Sequence, residues 1–284
     1  SACDAQLVTC GPLAGANLKV SKLAQLEKLS KHETLVISDA DVRVPPDLLA
    51  NVVAPLQEPQ AGLVNCFYQL ANPSTLPMQW EAVAINADFW SQVLQSRSLK
   101  PLDFALGAVM ATRRDLVNGI GGFGGLANCL ADDYQLGHRI AACGHRIVLS
   151  PVVVECWSEA QAWRRVWIHQ LRWARTIRVC QPLPYFFSIL SNATLWPALW
   201  LAVCPSAPVL ALVAACLMVR LLMALHLQWR LTRFPPRFAL AWLAPVKDLL
   251  QVVIWALAFV GNKIEWRGVT MSLRRDGTLV PKPE

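Results

Sequence analysis

The sequence predicts an α/β domain followed by an α-helical membrane region, and three observations carry that reading. The run Leu35-Val36-Ile37-Ser38 is a strand candidate that ends abruptly in two carboxylates one residue apart, Asp39 and Asp41. Strand-like and helix-like stretches then succeed one another as far as Glu155, the pattern of a layered α/β domain. Hydrophobic residues make up 55% of the 284, yet the charges crowd into the first part and the long apolar runs into the last third.

Ser1 reads as an internal start, with no signal peptide, and the stretch from Asp4 to Thr9 reads as the middle of a domain entered after its first strand and helix. Residues 11–19 are turn-rich and lead into a helix over Val20–Leu29. Lys19 at its start suits a phosphate, since an ammonium is a compact point charge, and equally suits solvent. In a strand, residues i and i+2 point the same way, so Asp39 and Asp41 converge just beyond the strand's end, where open α/β sheets place ligands. Two hard oxygen donors there suit a divalent cation that keeps waters and takes further ligands from a diphosphate. The bland alternative is a solvated turn.

Pro45-Pro46-Asp47 opens a helix to about Pro55, and Ala61–Leu70 reads as a strand. Met78–Ser96 reads as one helix in which Trp80 and Trp90 are packing residues. The small-residue run Phe104–Ala111 contains Gly107 and Ala108, which let backbone approach a ligand closely or serve a tight buried strand. Asp132 and Asp133 open a helix to about Cys143, either as caps favoured by its dipole or as a general base beside a substrate cleft. His145–Glu155 reads as a strand.

Ala160–Cys180 predicts an amphipathic helix with Trp163, Val166, Trp167, Trp173 and Ile177 on one side and five arginines supplying charge, which places it in a membrane interface. Within it, Arg172 and Trp173 offer a guanidinium and an indole to a departing diphosphate. Phe186–Cys204 and Pro208–Trp229 are each long enough to span hydrocarbon, and Arg220 and His226 in the second are expected to snorkel or to face protein. A basic loop, Arg230 to Arg237, precedes a third apolar segment, Phe238–Val260. The positive-inside rule wants both that loop and the tail in the cytosol, so this segment is expected to be broken or re-entrant near Pro245–Asp248. The resulting division is 1–158 α/β domain, 159–182 interface helix, 183–262 transmembrane region and 263–284 basic cytosolic tail.

The formal net charge of +7 gathers around Trp163–Arg178 and the apolar segments, which points to anionic lipid and not to nucleic acid. Nine scattered cysteines without a CxxC read as reduced thiols in a cytosol-facing protein.

The chain resembles the family 2 glycosyltransferases, and within them the ceramide glucosyltransferase-like membrane enzymes, including the bacterial hopanoid glycosyltransferases. The resemblance rests on Gly15-Ala-Asn17-Leu-Lys19-Val, Ser38-Asp39-Ala-Asp41-Val-Arg43-Val, Gly107-Ala-Val-Met-Ala-Thr-Arg113-Arg114, Gly121-Gly-Phe123, Ala131-Asp132-Asp133-Tyr134 and Arg172-Trp173, in that order over nearly the whole chain. It implies a GT-A fold, a Rossmann-like mixed sheet at the cytosolic face of a membrane, here a bacterial inner membrane. It implies a UDP-sugar donor with Mg²⁺ or Mn²⁺ and a membrane lipid acceptor, ceramide or a hopanoid. By that analogy Asp39 and Asp41 handle the metal and donor, with Lys19, Asp132 and His169 as further donor ligands and Gly107 and Ala108 on the acceptor side. Asp133 is the base, and Arg172 and Trp173 stabilise the leaving UDP. His169 stands where the family usually has Gln or Arg, and the family's first strand, early uracil-contacting Asp and N-terminal membrane helix have no counterpart here. Glucose is the leading sugar and N-acetylglucosamine on a hopanoid the alternative. A processive polysaccharide synthase and a non-catalytic lipid-binding protein are further readings, each with its own prediction: a many-helix channel for the first, no metal-dependent UDP binding for the second.

Overall fold

Strands that bury both faces need neighbours on both sides, and the most apolar run of the first half duly takes the middle of its sheet. The computed structural model describes residues 5–233, 240–266 and 268–281. Its first sheet has five strands in the order β1-β4-β3-β5-β2. These are β1 (Thr34–Ser38), β2 (Val42–Arg43), β3 (Ala61–Leu70), β4 (Val109–Arg113) and β5 (Arg146–Cys156). Every residue of β3 from Ala61 to Cys66 is buried. It pairs antiparallel with β4 and parallel with β5, so the sheet is mixed as expected.

β1 and β2 lie at opposite ends of the strand order, and only Asp39–Asp41 connect them. The Asp39 N–H donates to Ala108 O just before β4, and Asp41 O accepts from Trp157 N–H just after β5. The carboxylate turn is therefore stretched across the strand ends.

Around the sheet stand α1 (Leu18–Leu29), α2 (Leu48–Val53), α3 (Leu76–Val83), α4 (Trp90–Leu99), α5 (Arg114–Gly119) and α6 (Asp132–Ala142). The helix expected over Met78–Ser96 is interrupted, because residues Ala84–Phe89 between α3 and α4 form a π-turn. That turn aims Asp88 at Arg220 and Phe89 at the ring of Trp173. Trp80 and Trp90 are packing residues, 0% and 3% exposed. The strand within Phe104–Ala111 starts only at Val109, since the preceding residues form the loop against which α6 packs. Eight cysteines fall within the described residues and all are free thiols, while Cys3 lies outside them with Asp4.

The second half comprises α7 (Trp163–Cys180), α8 (Pro182–Phe187), α9 (Leu195–Val203), α10 (Ala207–Thr232) and α11 (Leu243–Phe259). Among the described residues α10 is the one helix long and apolar enough to cross a membrane unaided. The stretch expected to span over Phe186–Cys204 is two helices, Pro182–Ser191 and Leu195–Val203, bent by 52° at a break between them. Asn192 is the cause, because its Oδ1 accepts from the N–H groups of Thr194 and Leu195 and so starts a new helix. The break expected at Pro245–Asp248 is corrected as well. Pro245 sits in the first turn of α11, where a missing N–H costs nothing, and the helix continues to Phe259. Part of the basic loop, residues 234–237, and the start of that segment at Phe238 lie outside the described residues, as does Arg267.

Arg220 does face protein, as one of the two expected outcomes had it. Its guanidinium donates to Asp248 at 2.8 and 2.9 Å and to Asp88 at 2.8 Å. Lys247 Nζ lies 2.5 Å from Asp88 and 2.8 Å from Asp248. Two cations and two anions thus cancel where α10, α11 and the π-turn meet. His226 is exposed beside Trp229.

The expected tail is folded instead. Strands β6 (Lys263–Trp266), β7 (Val269–Leu273) and β8 (Leu279–Pro281) make an antiparallel sheet. Ile264, Met271, Leu273 and Leu279 pack against Leu130 of the loop before α6, with Ala16 and Val179 alongside. Apolar side chains at alternate positions of β7, Met271 and Leu273, give this sheet the one buried face it needs.

Candidate active site

Three elements converge at the open end of the first sheet, and each is fixed by a local rule. Asn17 caps α1 with Oδ1, accepting from the N–H groups of Lys19 and Val20. Its Nδ2 donates to Cys129 O at 2.9 Å and to Asp132 Oδ1 at 3.1 Å, with the whole residue at 0% exposure. The approach is close because Gly15, at φ +85°, has Ala127 O only 2.6 Å from where a Cβ would stand. The start of α1 is thereby tied to the start of α6.

Lys19 Nζ stands 2.6 Å from Asp39 Oδ1 and 3.7 Å from Asp132 Oδ2. Lys19, Asp39 and Asp132 therefore form one cluster drawn from α1, the end of β1 and α6. Burial acts to lower the Lys19 ammonium pKa, but the charges of Asp132 and Asp39 overcome it and the pKa is raised. Burial raises that of Asp39; Lys19 opposes this, and Asp41 and Asp132 reinforce it. Asp41 is exposed at the end of the same turn.

Asp133 is the perturbed acid of the site. Burial first, and the charge of Asp132 second, push its carboxyl up to about 6, against the pull of Lys19. Its Oδ1 accepts from the Tyr134 N–H at 2.8 Å. A Cβ on Gly107 would sit 2.6 Å from its Oδ2, and one on Gly137, a turn further along α6, only 2.2 Å from Ala105 N. The two glycines thus seat α6 against the 104–107 loop. Gly107 permits a close approach as expected, but in the structure it is the Asp133 carboxylate that approaches. Ala108 is buried and holds Asp39 through its carbonyl.

α7 supplies two further faces. Trp173 packs against Phe89 at 5.9 Å and His169 at 4.9 Å between ring centroids. Phe89 in turn contacts Tyr68, whose phenol pKa is pushed well up by burial, with Cys156, Asp133 and Glu81 adding to the rise. Arg172 looks elsewhere: its guanidinium lies 5.6 Å from the ring centroid of Trp266 and lines a cleft with Leu171, Arg175, Lys263, Ile264 and Thr270. Arg175 donates to the carbonyls of Lys263 and Val260, Arg178 to Asn262 Oδ1, and Arg164 reaches Glu265. The basic stripe read as headgroup-facing thus engages residues 260–266 of the chain itself. Lys19, Asp39, Asp132 and Asp133 are brought together; Arg172 stands apart from that cluster, with the C-terminal sheet.

Among the described residues no group of three or more His, Cys, Asp or Glu forms a ready metal cage. Asp41, whose charge is felt at Asp39, and the Asp39 oxygen not paired with Lys19 would together make a two-carboxylate donor set. Such a set fits a Mg²⁺-like ion that draws its other ligands from water and a diphosphate. The residues missed as site organisers are Asn17 and Gly137. An Asn two residues before Lys19 at a helix start, and a Gly four residues after Asp133 on the same helical face, were the available signals.

Compared with known protein families, residues 1–279 match the family model described as glycosyl transferase family 21.

Proposed function

Because the chain belongs to glycosyl transferase family 21, the ceramide glucosyltransferase family, we propose that it moves one hexose from a UDP-sugar, UDP-glucose first, to a hydroxyl of a membrane lipid, with inversion. Family membership makes it a glycosyltransferase with a sugar donor and a lipid acceptor. The single observation that carries the finer reading is the placing of the Asp133 carboxylate, seated against Gly107 and beside the Lys19–Asp39–Asp132 cluster, where burial raises its pKa.

Asp133 takes the proton from the acceptor hydroxyl, the freed oxygen bonds to the anomeric carbon, and the bond from that carbon to the diphosphate oxygen breaks. A general base must be ionised at the working pH yet basic enough to take a proton near neutrality, and a pKa of about 6 meets both needs. Lys19, already placed between two acids, can turn its ammonium to the diphosphate. Arg172, which lies against Trp266 and apart from that cluster, would have to turn toward the diphosphate to offer it bidentate donors as UDP leaves. Asp39 and Asp41 would hold a divalent ion, which when bound would neutralise charge on the leaving diphosphate. The mixed α/β sheet with its acids at the strand ends favours a GT-A domain, and the exposed apolar faces of α9 and α10 favour anchoring at the cytosolic face of a bilayer.

The test is transfer of radiolabelled sugar from UDP-glucose and from UDP-N-acetylglucosamine to extracted lipids, with Mn²⁺ or EDTA, for the wild type and Asp133→Asn. A metal-dependent glycolipid that falls at least about hundredfold in the variant is expected. A protein that binds vesicles but forms no product with any lipid or donor would overturn the reading.

A further inference from the structure

Glu81 is a buried carboxylate that none of these steps uses. It sits on α3 with its side chain 7% exposed, and its Oε1 accepts from two successive residues of α7. His169 Nδ1 lies 2.6 Å away and Gln170 Nε2 2.8 Å. We propose that Glu81 and His169 form a binding pair for a hydrogen-donating group of the lipid acceptor, with His169 Nε2 touching the acceptor and Glu81 as the positioning residue. The inference rests on the transferase reading and names the acceptor's ligand within it.

A carboxylate accepts, so Nδ1 carries the proton facing Glu81 and Nε2 is the ring nitrogen turned outward; in the neutral imidazole it presents a lone pair. Nε2 has no partner among the described residues, and the His169 side chain is 32% exposed where that of Glu81 is 7%. The ring edge away from Glu81 is thus open to a ligand while Glu81 is sealed behind it.

Position favours the acceptor. α3 and α7 both pack on α11, which puts the pair on the side of the apolar helices. From His169 a run of ring contacts leads through Trp173 and Phe89 to Tyr68, where the charges of Glu81 and Asp133 are both felt. The pair and the base therefore border one region lined by these rings. Chemistry favours it too. The lone pair of the neutral imidazole repels a diphosphate oxygen but accepts a hydrogen bond from a lipid O–H or amide N–H. His169 is then an acceptor ligand, contrary to the donor role its motif position implied.

Full-length protein is assayed with saturating UDP-glucose and a total polar lipid extract at varied mole fraction in phosphatidylcholine vesicles. UDP affinity is measured on the same samples. Glu81→Ala is expected to raise the apparent acceptor KM about tenfold with UDP affinity within twofold of wild type, and Glu81→Gln, which keeps an acceptor at Oε1, to recover most of the loss. His169→Phe keeps the ring packed on Trp173 but removes Nε2, and is expected to match Glu81→Ala even if the latter folds poorly. An unchanged acceptor KM in His169→Phe, or a loss of UDP affinity in its place, overturns the inference while leaving the transferase reading intact. A wild type that transfers nothing brings down both.

Discussion

Gly107 and Asp133 show how single residues set the chemistry. A methyl on Gly107 would have to occupy space within 2.6 Å of Asp133 Oδ2, so Gly107→Ala must displace the carboxylate or the loop. The expected result is a transfer rate lowered at least about tenfold for a stability cost of about 1–3 kcal/mol, read by assay and by urea melts. Asp133 itself has a raised pKa, so its base form accumulates only above about 6. Transfer is expected to climb between pH 5 and 7 with a midpoint near about 6. The same shift has a stability sign. An acid with a raised pKa in the fold favours folding when protonated, and that contribution is lost as pH rises through about 6. Asp133→Asn is therefore expected to be more stable than wild type by about 1–2 kcal/mol at pH 7, with the difference vanishing below about pH 4. Equal melting curves at both pH values would contradict this. At this scale much was legible: Lys19, Asp39, Asp132 and Asp133 were all singled out from residue type and local pattern. Asn17 and Gly137 were not used as site residues, because their importance lies in what packs against them.

At the scale of elements, the ion cluster joining α10, α11 and the π-turn is the clearest device. Asp248 is 3% exposed and meets both Arg220 and Lys247, while Thr194 Oγ1 donates to it at 2.6 Å. Removing one partner leaves a buried charge uncompensated. Asp248→Ala is thus expected to cost about 3–5 kcal/mol, visible as a lowered thermal midpoint in detergent, whereas Asp248→Asn keeps the hydrogen bonds to Thr194 and Arg220 and should lose less. Helix-forming stretches were legible because period and capping residues are local, as α1, α6 and α7 show. The bend between α8 and α9 was not, since Asn192 breaks the helix partly by donating to Asp248 O, 56 residues away. Pro245 misled for the opposite reason. Proline is disruptive inside a helix and harmless in its first turn, and where α11 begins is settled by packing.

For the whole molecule, the exposed leucines, valines and methionines of α10, such as Leu210, Leu212, Met218, Val219 and Leu222, are the feature with the largest physical consequence. An apolar face of that size has no stable place in water. The protein is expected to stay with the membrane fraction through alkaline carbonate and high salt; release by either would mean that electrostatics alone hold it there. The sequence by itself determined the order of strands and helices in the α/β domain, the acids at the strand ends and the apolar character of the last third, because these follow from periodicity and from residue chemistry read locally. Only the tertiary structure decided that β6, β7 and β8 form a sheet under the loop before α6 that carries Leu130, that the arginines of α7 hold residues 260–265, and that Glu81 stands behind His169. Each of those contacts joins residues more than 80 positions apart, and a local pattern holds no record of which distant partner will bury or neutralise a given side chain.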